Sequence, residues 1–174
     1  MKTTGTMRSL GATHGAVRVE DVYDTDIDDL WQACTNPQRL ERWLAKVSGD
    51  LRPGGTIHAV FTSTWTGPGR VDICEQPHHL LLTMEPGTPH ESQIEAWLTK
   101  EGTGTRLVVE ERGLPLERLH FHGSGWQVHL EDLARSLADD SIDDARAWSE
   151  QAPEPSWLER WNELTPAYQQ MAVD

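Results

Sequence analysis

From residue 53 to residue 110 the chain is broken at short intervals by turn chemistry, and every interval alternates apolar with polar residues. The breaks are Pro53-Gly54-Gly55, Gly67-Pro68-Gly69, Gln76-Pro77, Pro86-Gly87 and Gly102-Thr103-Gly104. Between them Ile57, Ala59 and Phe61 share one face, then Val71 and Ile73, then Leu80, Leu82 and Met84, then Ile94, Ala96 and Leu98, then Leu107 and Val109. A period of two bounded by Gly and Pro is the pattern of half-buried strands joined by hairpins. Successive hairpins with one apolar face make an antiparallel sheet, and that face needs a cover.

The flanks supply candidates for the cover. Upstream, Val17 and Val19 alternate with charges in a strand over 16–23. Thr25 and Asp28 then read as a capping box for a helix with Ile27, Leu30, Trp31 and Cys34 on one face. Asn36-Pro37 ends that helix and caps a second, short one carrying Leu40, Trp43 and Leu44. Downstream of Gly123-Ser124-Gly125, where the two glycines suggest close approach of a helix start to the sheet, Trp126, Leu130, Leu133 and Leu137 recur at helical spacing. That helix is long enough to cross the sheet. Beyond it come the acidic run Asp139-Asp140-Ser141-Ile142-Asp143-Asp144 and the irregular Pro153-Glu154-Pro155. A last helical pattern opens with a Ser156/Glu159 capping box and carries the stripe Trp157, Trp161, Leu164, Tyr168 and Met171, interrupted at Thr165-Pro166. Residues 1–14 are small and polar without periodicity and are expected to form a mobile tail. The expected division is thus a tail over 1–14, a domain over 15–138 and an acidic, Trp-rich helical extension over 139–174.

Composition narrows the partners. The 174 residues carry a net charge of −13, a balance that repels nucleic acid and anionic lipid. No apolar run reaches the ~18 residues of a membrane span, and the start MKTTGTMRSLG lacks the apolar stretch of a signal peptide. With two cysteines, Cys34 and Cys74, the setting expected is reducing and cytoplasmic, with free thiols. Eight Trp against two Phe and two Tyr is an unusual aromatic choice, suited to a core or to a pocket wall.

The order strand, two short helices, antiparallel sheet, long helix resembles the START-like, helix-grip superfamily called SRPBCC. Asn36-Pro37-Gln38-Arg39-Leu40-Glu41-Arg42-Trp43-Leu44, Pro53-Gly54-Gly55, Gly104-Thr105-Arg106-Leu107, Arg112-Gly113-Leu114-Pro115 and Gly123-Ser124-Gly125-Trp126 look like the branch related to the C-terminal domain of the activator of Hsp90 ATPase. The resemblance covers about 16–138 and implies an α+β fold in which a curved antiparallel sheet grips a long C-terminal helix around a cavity. Superfamily members bind lipids, hormones or polyketides, and some catalyse cyclisation or ring hydroxylation. The motifs of the branch are structural and name no catalytic residue.

The groups with chemical range near such a cavity are His120, His122 and His129; on one helix His122, Trp126 and His129 stand four and three residues apart and share a face. A lone helical histidine is more often a packed or surface residue than a ligand. His78-His79 and His120-Phe121-His122 lack the convergent ligands a metal needs, so neither a metal nor another cofactor is expected. Ser124 sits in Gly-Ser-Gly but outside any GxSxG strand–turn–helix context, and Cys34 lies on an apolar helix face, so no nucleophile is assigned. The glycine pairs match no phosphate loop and read as turns.

The function these observations favour is binding of a small hydrophobic or aromatic molecule between sheet and helix, lined by Trp43, Phe61, Trp65, Ile73, His122, Trp126, His129 and Leu130. An enzyme of cyclase, aromatase or hydrolase type using a cavity histidine is the first alternative. The second is an interaction module, chaperone-linked or homodimeric through the C-terminal Trp stripe.

Overall fold

The hairpin signals deliver a meander. In the computed structural model, which describes residues 2–138, 149 and 151–174, the strands are β1 (Thr4–Ser9), β2 (His14–Tyr23), β3 (Ala45–Gly49), β4 (Thr56–Phe61), β5 (Thr66–Glu75), β6 (His79–Met84), β7 (Ser92–Glu101) and β8 (Gly104–Pro115). They form one curved antiparallel sheet in the order β1-β2-β8-β7-β6-β5-β4-β3. The helices are α1 (Ile27–Thr35), α2 (Pro37–Leu40), α3 (Leu119–Ala138) and α4 (Pro155–Gln170). The acidic run over 139–144 lies outside the described residues.

Several expectations are corrected. The polar N-terminus holds a strand: Thr4 to Ser9 pair with Glu20 to Gly15 along the edge of β2. The cap of α1 is Asp26, whose carboxylate accepts from the Asp29 amide at 2.9 Å, while Thr25 donates to the Asp29 side chain. Asn36 does cap α2 through the Gln38 amide. Helix α3 begins at Leu119, before Gly123 and Gly125, so both glycines are interior to it. Helix α4 is capped by Glu154 rather than Ser156 and runs through Pro166 without ending.

The core lies between the concave face of the sheet and α1 and α3, with Leu30, Leu98, Leu107, Leu119, Leu130 and Leu133 almost wholly enclosed. Tyr23 of β2 donates its hydroxyl to the Leu130 carbonyl of α3 at 2.9 Å, tying sheet to grip helix. Helix α4 docks on the outer side of α3. Its Tyr168 fills a slot between two glycines: a Cβ on Gly5 or Gly123 would stand 2.1 or 2.6 Å from the tyrosine. The Tyr168 hydroxyl donates to the Gln127 side chain at 2.8 Å, and Arg160 grips Glu131 with two nitrogens at 2.8 and 2.9 Å. The chain end then joins the sheet edge, the Ser9 amide donating to the Asp174 carbonyl and the Asp174 amide to Met7. The C-terminal stripe thereby packs on its own domain: Trp157 and Tyr168 are buried, and Leu164 and Met171 lie against the core. Of the stripe put forward as a homodimer surface, Trp157 and Tyr168 are thus withdrawn into the chain's own fold.

Candidate functional site

Where α3, α4 and the concave sheet converge, they leave a cavity of about 480 Å³. The sheet contributes Met84, Ser92, Ile94 and Glu111, α3 contributes His122, Gly125, Trp126 and His129, and α4 contributes Trp157, Leu158 and Trp161. Phe61 and Trp65 close it from the β4–β5 hairpin, and exposed Pro89, His90 and Arg118 stand at its rim. A second, smaller cavity of about 110 Å³ lies deeper, between the sheet and α1–α2, with Trp43, Cys34 and Cys74 in its lining. Phe61, Met84, Ile94 and Trp126 belong to both walls and so form the partition between them.

The outer cavity is walled by rings in mutual contact. Phe61 meets Trp65, Trp126 and His129 edge-on with centroids 5.4, 6.3 and 6.0 Å apart. His129 tilts against Trp157 at 5.4 Å, and Trp157 and Phe121 each stack with Trp161. Such offset and edge-to-face arrangements are the stable ones for aromatic quadrupoles, and they hold the wall rigid.

One buried charged group interrupts this wall. Glu111 is buried; its Oε1 accepts from Ser92 at 3.1 Å and its Oε2 from the Trp126 indole at 2.7 Å, with His122 Nδ1 3.4 Å from Oε2. Burial works to raise its pKa, but the hydrogen bonds from His122, Trp126 and Ser92 outweigh it and bring the net below the usual glutamate value. The carboxylate is therefore ionised and fully engaged, and it orients the half-exposed imidazole of His122. Deeper in, the Thr62 hydroxyl lies 3.4 Å from His129 Nδ1. In the inner cavity burial pushes the Cys34 thiol up to about 12 and raises that of Cys74.

The structure brings Phe61, Trp65, His122, Trp126 and His129 together in the outer cavity. Trp43 instead lines the inner one, buried, with its indole donating to the Ala33 carbonyl at 2.9 Å. Leu130 lines neither; it points into the core beneath. Ile73 lines neither because the β5–β6 register shifts between Val71 and Ile73, which turns Cys74 inward in its place. The Ser124 hydroxyl is spent on the carbonyls of His120 and Phe121. Gly123 and Gly125 face α4 rather than the sheet, so their smallness serves helix–helix contact. Among the described residues no group of three or more His, Cys, Asp or Glu could hold a metal ion.

Glu111 and the wall from α4 are not among the cavity residues singled out by the sequence motifs. Glu111 was readable: it is in phase with Leu107 and Val109, an acid at an inward position of a period-two strand. That Trp157 and Trp161 face this cavity depends on how α4 docks, which no local pattern states.

An eight-stranded sheet gripping a long helix, with a ring-lined cavity between, defines a helix-grip protein of the SRPBCC class. The chain belongs to the family of activator of Hsp90 ATPase homolog 1-like proteins, whose model matches residues 24–138. Its fold is shared by CalU16 from Micromonospora echinospora, in the crystal (24% identity, 98% of this chain and 100% of that one, TM-score 0.70) and in solution (27%, 95% and 92%, TM-score 0.72). DynU16, a protein of the dynemicin biosynthetic locus, matches 74% of this chain over 49% of its own length, with 26% identity and a TM-score of 0.67. No curated protein matches the sequence. The likeness to CalU16 reaches well beyond residue 138, so α4 belongs to a shared architecture. No helix among the described residues is long and apolar enough to cross a membrane.

Proposed function

We propose that this protein binds a small aromatic molecule in the outer cavity, in the cytoplasm and with Cys34 and Cys74 as free thiols. The observation that carries this reading is the wall of contacting rings around about 480 Å³, a volume within the usual range of ligand sites. Rigid rings offer apolar area without the entropy loss of flexible side chains, so burial of a flat ligand is the driving force. DynU16, a protein of the dynemicin biosynthetic locus, supports the same direction.

Gly125 allows a clean test. It lines the cavity, and the nearest atoms a Cβ there would meet belong to Trp161 and Trp157, at 3.8–4.0 Å. Gly125→Phe therefore fills the cavity while Gly125→Ala leaves it open. With N-phenyl-1-naphthylamine as the probe, fluorescence titration should show saturable binding to the wild type and to Gly125→Ala, weakened about tenfold or more in Gly125→Phe. Equal affinity in all three would place the probe elsewhere and overturn the reading.

A further inference from the structure

We infer that the outer cavity selects aromatic ligands bearing an acidic hydroxyl, phenols in the simplest case, and that His122 accepts the hydroxyl proton. This rests on the reading of the cavity as the ligand site and adds the chemistry of its occupant. Three observations lead there.

The first is the division of labour between Glu111 and His122. The carboxylate already receives Ser92 and Trp126 and is flanked by His122 Nδ1, so it has little capacity left for a ligand. With Nδ1 turned to a carboxylate, a neutral imidazole carries its proton there and keeps its lone pair on Nε2. The imidazolium formed on proton uptake is stabilised by the same carboxylate, as in hydrolase triads. His122 lines the cavity with its Nδ1 turned to the Glu111 carboxylate.

The second is the indole of Trp157, which also lines the cavity. Its Nε1 is buried and has no hydrogen-bond acceptor among the described residues. Because Nε1 is closed to a molecule the size of water, what Trp157 offers an occupant is its ring surface, against which an aromatic ligand stacks.

The third is charge. The other ionisable groups lining the cavity are Glu85 and His90 from the β6–β7 connection, Arg118 after β8 and His129 on α3, while α4 lines it with Trp157, Leu158 and Trp161. Arg118 lies over the Phe121 ring at 5.8 Å, which puts a fixed positive charge at the rim. Proton transfer breaks the ligand O–H bond and forms Nε2–H, leaving a phenolate beside an imidazolium. The step needs no oxidant or second reactant.

The test compares 4-nitrophenol with 4-nitroanisole, which has nearly the same shape but no acidic proton, on the full chain and on His122→Gln. The half-exposed position tolerates this change, and glutamine keeps a donor for Glu111 but takes up no proton; circular dichroism verifies the fold. Calorimetry on the wild type should show 4-nitrophenol bound about tenfold or more tightly than 4-nitroanisole, the size expected for a hydrogen bond to a charged group. The phenolate absorption band should also intensify on binding. In His122→Gln the preference should fall to about threefold or less, the band should stay unchanged, and 4-nitroanisole should bind as before. Equal binding of the two probes by the wild type, or a preference that survives His122→Gln, would overturn the phenol assignment and leave the cavity reading standing. If neither probe binds, both fall.

Discussion

Gly123 and Gly125 stand two residues apart on α3, and the same added methyl has opposite consequences at each. At Gly123 it would meet the Tyr168 ring at 2.6 Å, so Gly123→Ala forces α4 outward. Overpacking of this kind costs about 1–3 kcal/mol. At Gly125 the nearest atoms are in ordinary contact, so Gly125→Ala gains the helix propensity that glycine lacks, about 0.5–1 kcal/mol. Calorimetry should therefore show Tm rise by roughly 1–4 °C for Gly125→Ala and fall for Gly123→Ala. The sequence shows two identical glycines in one motif; only the packing of α4 separates them. Glu111 is the converse case, since its inward phase beside Leu107 and Val109 is written in the strand itself. Ile73 is different again: its alternation with Val71 is regular on paper, and the register shift that rotates it away arises from pairing with β6.

At the scale of elements, legibility follows hydrophobic contrast. The strands with strong alternation, from Ile57 to Val109, are where the pattern puts them. The two edge strands, β1 with TGTMRS and β3 with AKVSG, are polar and short and gave no periodic signal. Edges carry that composition because a long apolar edge invites pairing with other chains. Helix α4 was readable as a helix, but its partner was not, because docking rests on Tyr168, Arg160 and the glycines opposite. That docking has a pH dependence. Burial works to raise the Glu131 carboxyl, but its hydrogen bonds from Arg160 and Gln127 outweigh this and set its pKa below the ordinary 4.5. A depressed folded pKa means that the stabilisation is complete above 4.5 and is lost as pH falls through the folded value. Glu111 behaves in the same direction. Near-ultraviolet circular dichroism, to which Trp157 and Trp161 contribute along with the other tryptophans, should thus lose intensity in acid below pH 4.5. Arg160→Ala should shift that loss to higher pH and cost about 1 kcal/mol or less at neutral pH, because the pair is partly exposed. An acid transition identical in wild type and Arg160→Ala would show that α4 is held by packing alone.

For the molecule as a whole, the C-terminal segment completes both the fold and the cavity. Val173 and Asp174 extend the β1 edge, Tyr168 locks α4 to α3, and Trp157 and Trp161 wall the outer cavity. A stripe of large apolar residues used in this way is withdrawn from contact with a second copy. Large exposed apolar patches drive association, so the oligomeric state reports whether α4 is docked. The chain should sediment as a monomer at neutral pH. Gly123→Leu, which puts a still larger side chain in the Tyr168 slot, should release α4 in the otherwise complete chain. It would then expose Trp157, Trp161 and the ring-lined face of α3 together. That variant should form dimers or larger species in sedimentation velocity and bind N-phenyl-1-naphthylamine without saturation, while Gly125→Ala remains monomeric. A wild type that already sediments as a dimer would mean that a surface other than the stripe joins two copies. A Gly123→Leu variant that stays monomeric and binds the probe saturably would mean that α4 keeps its seat without the Tyr168 slot, leaving Arg160 and the β1 edge as its anchors.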